Sequence, residues 1–150
     1  MGNRCVITTN ENIPNDKKIG IYLHWNGGRS SVEAFLTYCK IKGIRNPVKD
    51  NYGWARMCQV IGNFFGGNLS IGIDTLVHLD CDNGDNGMYI IDENWNIVSR
   101  LYSNYEDTDE YDLLSFLVAI DDTMPINEQL GIGYIKEQIG GDNKWLKRFT

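Results

Sequence analysis

The sequence has few of the residues that hold a structural metal or form a disulfide framework. It contains two histidines and four cysteines, and no two cysteines form a C-x-x-C pair. Because structural zinc sites use closely spaced cysteine and histidine ligands, we expect no metal and no cofactor. Disulfides persist mainly in oxidising compartments, so the cysteines are expected to be reduced thiols of a cytoplasmic protein.

Long apolar stretches are also missing. No run approaches the roughly 20 residues of a membrane-spanning helix, and the N-terminus lacks the apolar segment of a secretory signal. The chain has 150 residues, of which 42% are hydrophobic and 23% charged. These values predict one folded domain, residues 1–150, with a buried core and no membrane partner.

Charge is distributed unevenly along the chain. Residues 1–70 hold nine Lys/Arg and four Asp/Glu, whereas residues 71–150 hold five and sixteen. The net charge of −6 and the pI near 4.8 argue against general DNA binding. Two interpretations stay open: both surfaces are simply solvated, or their opposite charges favour head-to-tail association into an oligomer.

Hydrophobic periodicity predicts the element order ββ, αα, βββ, αα. Strands group with strands and helices with helices, which favours an α+β fold: a small antiparallel sheet of about five strands packed with three to four helices. The predicted elements are strands 4–9 and 19–25, helices 30–42 and 52–65, strands 69–73, 88–91 and 97–101, and helices 109–120 and 126–139.

The segment between the second strand and the first helix combines residue types that bind anions. A glycine turn leads into a helix N-terminus, whose free N–H groups and positive dipole end attract anions. Arg29 could contact a phosphate or carboxylate, Trp25 could stack on a ring, and His24 could donate a hydrogen bond. The predicted ligand-binding residues are His24, Trp25, Asn26, Gly27, Gly28, Arg29, Ser30 and Ser31.

The same segment also fits an ordinary turn. Ser30 and Glu33 match a capping box, and Trp25 could belong to the core. The segment matches neither of the glycine-rich phosphate loops, G-x-x-x-x-G-K-[ST] and G-x-G-x-x-G. Both interpretations stay open, and in the first the ligand is small, anionic and nucleotide-like.

Two polar stretches are candidates for binding a protein partner. Residues 80–87, DCDNGDNG, read as a long turn, and an acidic stretch follows the last strand. A calcium loop starting at Asp82 would place Gly84 where an oxygen ligand is needed, which disfavours calcium. Carboxylates could face a basic protein, and a solvated loop is the alternative. The predicted partner-binding residues are Asp82, Asn83, Asp85, Asn86, Glu106, Asp107, Asp109, Glu110 and Asp112.

No complete catalytic constellation is visible. The serines after Arg29 lack the nucleophile elbow of a hydrolase, and a strand through His78 and Cys81 would place them on opposite faces. We therefore expect a non-catalytic binding protein. The alternative is a small hydrolase or transferase that acts on a phosphorylated or acylated substrate through His24 or His78.

Three segments carry a resemblance to known proteins: YLHWNGGRSSVEAF, YGWARMCQVIGNFFGGNLSIGID and LDCDNGDNGMYIIDENW. Over about residues 3–102 the chain resembles a family of small uncharacterised proteins of Gram-positive bacteria, their phages and mobile elements. Small phage-borne proteins of this size often resemble inhibitors of host defence, some of which bind a defence protein while others sequester a nucleotide signal. The resemblance therefore implies an anti-defence inhibitor, anti-CRISPR-like or nucleotide-sequestering.

Overall fold

A computed structural model of the chain describes residues 2–104 and 111–140. Within these ranges it has five strands and four α-helices, which confirms the predicted α+β fold. Short 3₁₀ turns cover Leu76–His78 and Ile126–Glu128. The elements are β1 Cys5–Thr9, β2 Ile19–Leu23, α1 Arg29–Lys42, α2 Asn51–Phe65, β3 Ile71–Thr75, β4 Met88–Ile91, β5 Ile97–Leu101, α3 Leu113–Asp122 and α4 Ile132–Gln138.

The sheet is mixed, with the strand order β3-β2-β1-β4-β5. Three neighbouring pairs are antiparallel, as expected, but β4 runs parallel to β1, with Met88 opposite Val6. The difference follows from the connection: β4 joins β1 only after α1, α2 and β3. A long connection of this kind permits parallel pairing, whereas a tight hairpin forces the antiparallel arrangement.

The helices cover one face of the sheet. Side chains alternate along β1, so Cys5 and Ile7 point into the main core while Val6 points to the opposite face. Val6 and Met88 pack there against Leu76 in a smaller apolar cluster. None of the helices in the described parts of the chain is long and apolar enough to cross a membrane.

The start of α1 differs from the prediction. The helix begins at Arg29 with Gly28 as its N-cap, and no side chain caps it. The predicted capping box is wrong, because Ser30 already lies inside the helix and Glu33 instead pairs with Arg29. The turn itself lies where the sequence predicts it, with Asn26 at a positive φ of 55°, but the helix begins one residue earlier than expected.

The other helices start and end close to their predicted limits, with two differences. Asp112 caps α3 by accepting a hydrogen bond from the Ser115 N–H, while Asp109, the first residue of the predicted helix, lies outside the described residues. The single helix expected over 126–139 is a 3₁₀ turn followed by α4, because the backbone at Gly131 has a φ of 86°.

Asp121 ties three elements together at the end of α3. Its carboxylate accepts hydrogen bonds from the Tyr38 hydroxyl (2.6 Å), the Leu130 N–H (2.8 Å) and the Gly131 N–H (2.9 Å). Burial acts to raise the pKa of the Asp121 carboxyl, but these hydrogen bonds outweigh it, and the pKa lies below its ordinary range. The ionised carboxylate therefore fixes α1, α3 and the start of α4 relative to one another.

Candidate functional site

The loop formed by residues 24–31, called here the α1 entry loop, is held in place by hydrogen bonds to its backbone. The Asn3 N–H donates to the His24 carbonyl, and the Gly27 N–H donates to the Asn3 carbonyl, both at 2.8 Å. The buried Tyr89 hydroxyl donates to the Gly27 carbonyl, also at 2.8 Å. The loop is therefore a defined structure held by the N-terminal residues and by β4.

The two glycines of the loop have different roles. A Cβ on Gly27 would lie 2.4 Å from the Asn3 carbonyl oxygen, so this position needs glycine for close backbone packing. Gly28 has an ordinary φ of −67°, and a Cβ there would meet only the Asn3 side chain, at 3.7 Å. Gly28 is thus not required by packing, and its missing side chain leaves the start of α1 open to approach.

The ring of Trp25 lies at the surface. The residue is 39% exposed, which argues against the alternative that it belongs to the core. Its indole packs edge-on against His24, with ring centroids 4.9 Å apart. The His24 Nδ1 lies 2.8 Å from the Tyr22 hydroxyl, so the imidazole is held in one orientation beside the indole. Trp25 can therefore offer an oriented aromatic surface next to the helix start.

The first turn of α1 contains a guanidinium and no carboxylate. It begins with Arg29, whose Nη2 lies 3.7 Å from the Glu33 carboxylate one turn later. Ser31 is buried and its hydroxyl accepts a hydrogen bond from the Asn26 side chain at 3.3 Å. Because no side chain caps the N–H groups of this turn, a helix dipole end and a guanidinium lie together at the loop.

A cavity of about 380 Å³ adjoins the α1 entry loop at Asn26. Its walls come from the end of α2 and from α3, and the apolar part is largely aromatic. The sequence predicts a ligand contact for Asn26 and a protein contact for Asp112, yet both residues line this one cavity. The other lining residues, which the sequence analysis did not single out, are Phe64, Tyr111, Ser115, Phe116 and Ala119.

The loop 80–87 is held internally. The Asn83 side chain accepts hydrogen bonds from the Asp85 and Gly87 N–H groups, both at 3.1 Å. The Asp85 carboxylate pairs with the Arg4 guanidinium at 2.7 Å, and the Asn86 amide donates to the Arg4 carbonyl. These three predicted partner-binding side chains are buried and stabilise the loop against the N-terminal residues.

Two of the predicted partner-binding residues that the structure describes are exposed. Asp82 is exposed in the loop 80–87, and Asp112 caps α3. In the described residues, no group of three or more His, Cys, Asp or Glu side chains is placed to hold a metal ion. Glu106, Asp107, Asp109 and Glu110 lie outside the described residues, so a protein-binding acidic surface stays a prediction.

The side chains around His78, one of the two histidines proposed for the enzyme alternative, are not arranged as a catalytic relay. The His78 Nδ1 lies 3.1 Å from the Thr75 hydroxyl and 3.6 Å from the Asp74 carboxylate. A catalytic triad needs the acid and the hydroxyl on opposite ring nitrogens, whereas here both face the same one. Burial also raises the pKa of the Cys81 thiol, and the nearby Asp80 raises it further, which disfavours a reactive thiolate.

Comparison with known proteins adds no assignment. No known protein family, no curated protein and no solved structure matches this chain. The functional conclusion therefore depends on the geometry of the α1 entry loop and the side chains around it.

Proposed function

We propose that this protein is a non-catalytic binding protein that holds a small anionic, nucleotide-like ligand at the α1 entry loop. The observation that carries this proposal is the start of α1, which has no side-chain cap, no acid in its first turn and Arg29 as its first residue. Helix N-termini of this kind bind phosphate and carboxylate through backbone N–H groups and the dipole.

The neighbouring side chains support a ligand with both an anionic group and a ring. The anionic group would lie over the first turn, where Gly28 has no side chain to block it and Arg29 adds a charged donor. The exposed indole of Trp25 would stack on a planar ring, as aromatic side chains do on nucleobases. A nucleotide combines these two features in one molecule.

Binding without turnover is the version that the side chains support best. The cluster around His78, with Asp74 and Thr75, has the wrong geometry for a catalytic proton relay. The Cys81 thiol is not activated either. A protein that holds its ligand unchanged acts in proportion to its own amount. On this basis we propose, as expected from the sequence, a cytoplasmic, phage- or mobile-element-encoded inhibitor that sequesters a nucleotide signal of host defence.

The test is calorimetric titration of the full chain with mono-, di- and cyclic nucleotides. The variant Arg29→Gln/Glu33→Gln removes both members of the ion pair together. Loss of a charge-assisted contact, about 1.5–3 kcal/mol, weakens binding about ten- to hundredfold. Lys17→Ala, at an exposed position outside the loop, is the matched control and is expected to bind normally.

Two further measurements distinguish ligand binding at this loop from enzymatic turnover. Trp25→Phe should remove the fluorescence change on binding, and mass analysis of the ligand after incubation should recover it unchanged. Equal affinity of the Arg29→Gln/Glu33→Gln variant and the wild type would contradict the proposed site. Product in molar excess over protein would contradict the non-catalytic role and favour the hydrolase or transferase alternative.

A further inference from the structure

A second concave surface lies at the opposite end of α1 from the entry loop. It is a cleft of about 400 Å³ between the C-terminal end of α1, one face of α2 and the segment 124–128. Because α1 has 14 residues, the two ends lie about 20 Å apart. We call it the α1 exit cleft, and its lining residues are Lys42, Gly43, Ile44, Arg56, Gln59, Val60, Asn63, Met124, Pro125 and Glu128.

The charges in the α1 exit cleft favour an anion. The Lys42 ammonium donates to the Glu128 backbone carbonyl and lies 3.2 Å from its carboxylate, so the single acid in the lining is already neutralised. Arg56 is exposed and forms no ion pair with any carboxylate of the described residues. The cleft thus keeps an uncompensated positive charge in a chain whose net charge is −6.

The guanidinium of Arg56 is oriented by its neighbours. Its central carbon lies 5.5 Å from the centroid of the Tyr52 ring, and that of Arg45 lies 4.9 Å from the same centroid. Cation–π contact of this kind restricts a long side chain without using its N–H donors. Arg45 is also paired with Asp50 at 2.8 Å, whereas the donors of Arg56 remain available to a ligand.

The rest of the lining suits the body of a small organic molecule. Gln59 and Asn63 are one turn apart on α2, which places their amides on the same side of the helix as Arg56. Val60 and Met124 are buried apolar residues beneath them. Apolar walls with a few convergent polar groups, in a cleft of several hundred Å³, are typical of small-molecule sites.

The end of α1 carries the negative end of a helix dipole, so the anionic group would lie on the α2 side of the cleft, although two of the α1 carbonyl groups are already paired. The N–H groups of Gly43 and Ile44 donate to the carbonyls of Lys40 and Cys39, so these acceptors are already used. We infer that the α1 exit cleft binds a small organic anion: one phosphate or carboxylate on an apolar body, with the anionic group at Arg56 and the body over Val60 and Met124. This site is independent of the ligand proposed for the entry loop.

The probe for this inference is 8-anilinonaphthalene-1-sulfonate, which joins an anionic group to aromatic rings. Titrated into the isotope-labelled full chain, it should shift the amide signals of residues 56–63, 124 and 126–128. Arg56→Gln should weaken its binding about tenfold or more, which corresponds to one charge-assisted contact. Arg45→Gln changes the same Tyr52 surface but not the lining, and is expected to bind the probe nearly as the wild type does.

The neutral analogue N-phenyl-1-naphthylamine separates charge recognition from apolar contact. The wild type should prefer the sulfonate, and Arg56→Gln should lose that preference. Displacement of the probe by phenyl phosphate or by benzoate supports the site and identifies the anion, whereas failure of both overturns it. Amide shifts confined to other residues, or equal affinities of Arg56→Gln and Arg45→Gln, would also overturn it. Arg29→Gln/Glu33→Gln should leave the probe bound, which separates this result from failure of the entry loop.

Discussion

Replacing Asp121 by alanine is expected to destabilise the protein strongly. The carboxylate is 3% exposed and accepts three hydrogen bonds, from the Tyr38 hydroxyl and from the N–H groups of Leu130 and Gly131. A hydrogen bond to a charged group contributes about 1.5–3 kcal/mol, and orphaned buried donors add a desolvation cost. Because water can enter the space left behind, we expect about 3–5 kcal/mol, which is typical when one partner of a buried charged network is removed.

Urea unfolding followed by circular dichroism measures the loss of unfolding free energy, and thermal unfolding measures the accompanying fall in Tm. For a chain of this length each kcal/mol corresponds to about 2–4 °C, so Asp121→Ala should lower the Tm by about 6–20 °C. Asp121→Asn should lose less, because its amide keeps an acceptor of similar shape. The exposed neighbour provides the control, and Asp122→Ala should stay within about 0.5 kcal/mol of the wild type. An Asp121→Ala variant within about 1 kcal/mol of the wild type would refute the assigned role.

Three further predictions concern pH, packing and thiol chemistry. The pKa of Asp121 is depressed in the folded state. Its contribution to the free energy of unfolding is therefore fully present above the pKa of the unfolded state, about 4, and is lost as the pH falls through the pKa of the folded state. Urea unfolding at about pH 3 and pH 6 should therefore show a smaller acid loss for Asp121→Asn than for the wild type, and equal losses would contradict this. Gly27→Ala should destabilise the protein by more than about 2 kcal/mol, because the new Cβ would lie 2.4 Å from the Asn3 carbonyl oxygen. Gly28→Ala is the control and should fold normally. Equal stability of the two variants would count against the packing role of Gly27. Burial raises the pKa of the Cys58 thiol to about 11. Disulfide-exchange reagents at about pH 8 should therefore label Cys58 slowly in the folded protein and fully in urea. Fast labelling of Cys58 in the folded protein would refute its burial.

Local periodicity predicted most of the elements. The predicted helix 52–65 corresponds to α2 at Asn51–Phe65, and the predicted strands 88–91 and 97–101 correspond to β4 and β5. These segments are predictable because each has one buried face that repeats with the period of its own secondary structure. The parallel pairing of β1 with β4 was not predictable in this way, since it depends on contacts between residues more than 80 positions apart.

Local motifs were less reliable at the helix start and in the loop 80–87. Ser30 and Glu33 fit a capping box by spacing, but the turn at Asn26 places Gly28 at the cap. Asn and Asp in the loop resemble a solvated turn, yet Asp85 is buried because Arg4 packs against it. In both places a distant or preceding part of the chain decides the role of a side chain.

The candidate sites were predictable to different extents. The α1 entry loop could be found because its residues are consecutive and lie between two clear elements. The α1 exit cleft could not, because Arg56, Lys42 and Met124 come from three segments that only folding brings together. A lone arginine on a helix face carries no signal of a site in the sequence.

The most direct test of the proposed function is native mass spectrometry of the protein purified from cells, where nucleotides are available for it to bind. The proposal predicts a non-covalent adduct with the mass of a nucleotide on the wild type. This adduct should be released intact on denaturation and missing from the Arg29→Gln/Glu33→Gln variant. The same mass before and after denaturation of the wild type, or an equal adduct on the variant, would contradict ligand binding at the α1 entry loop.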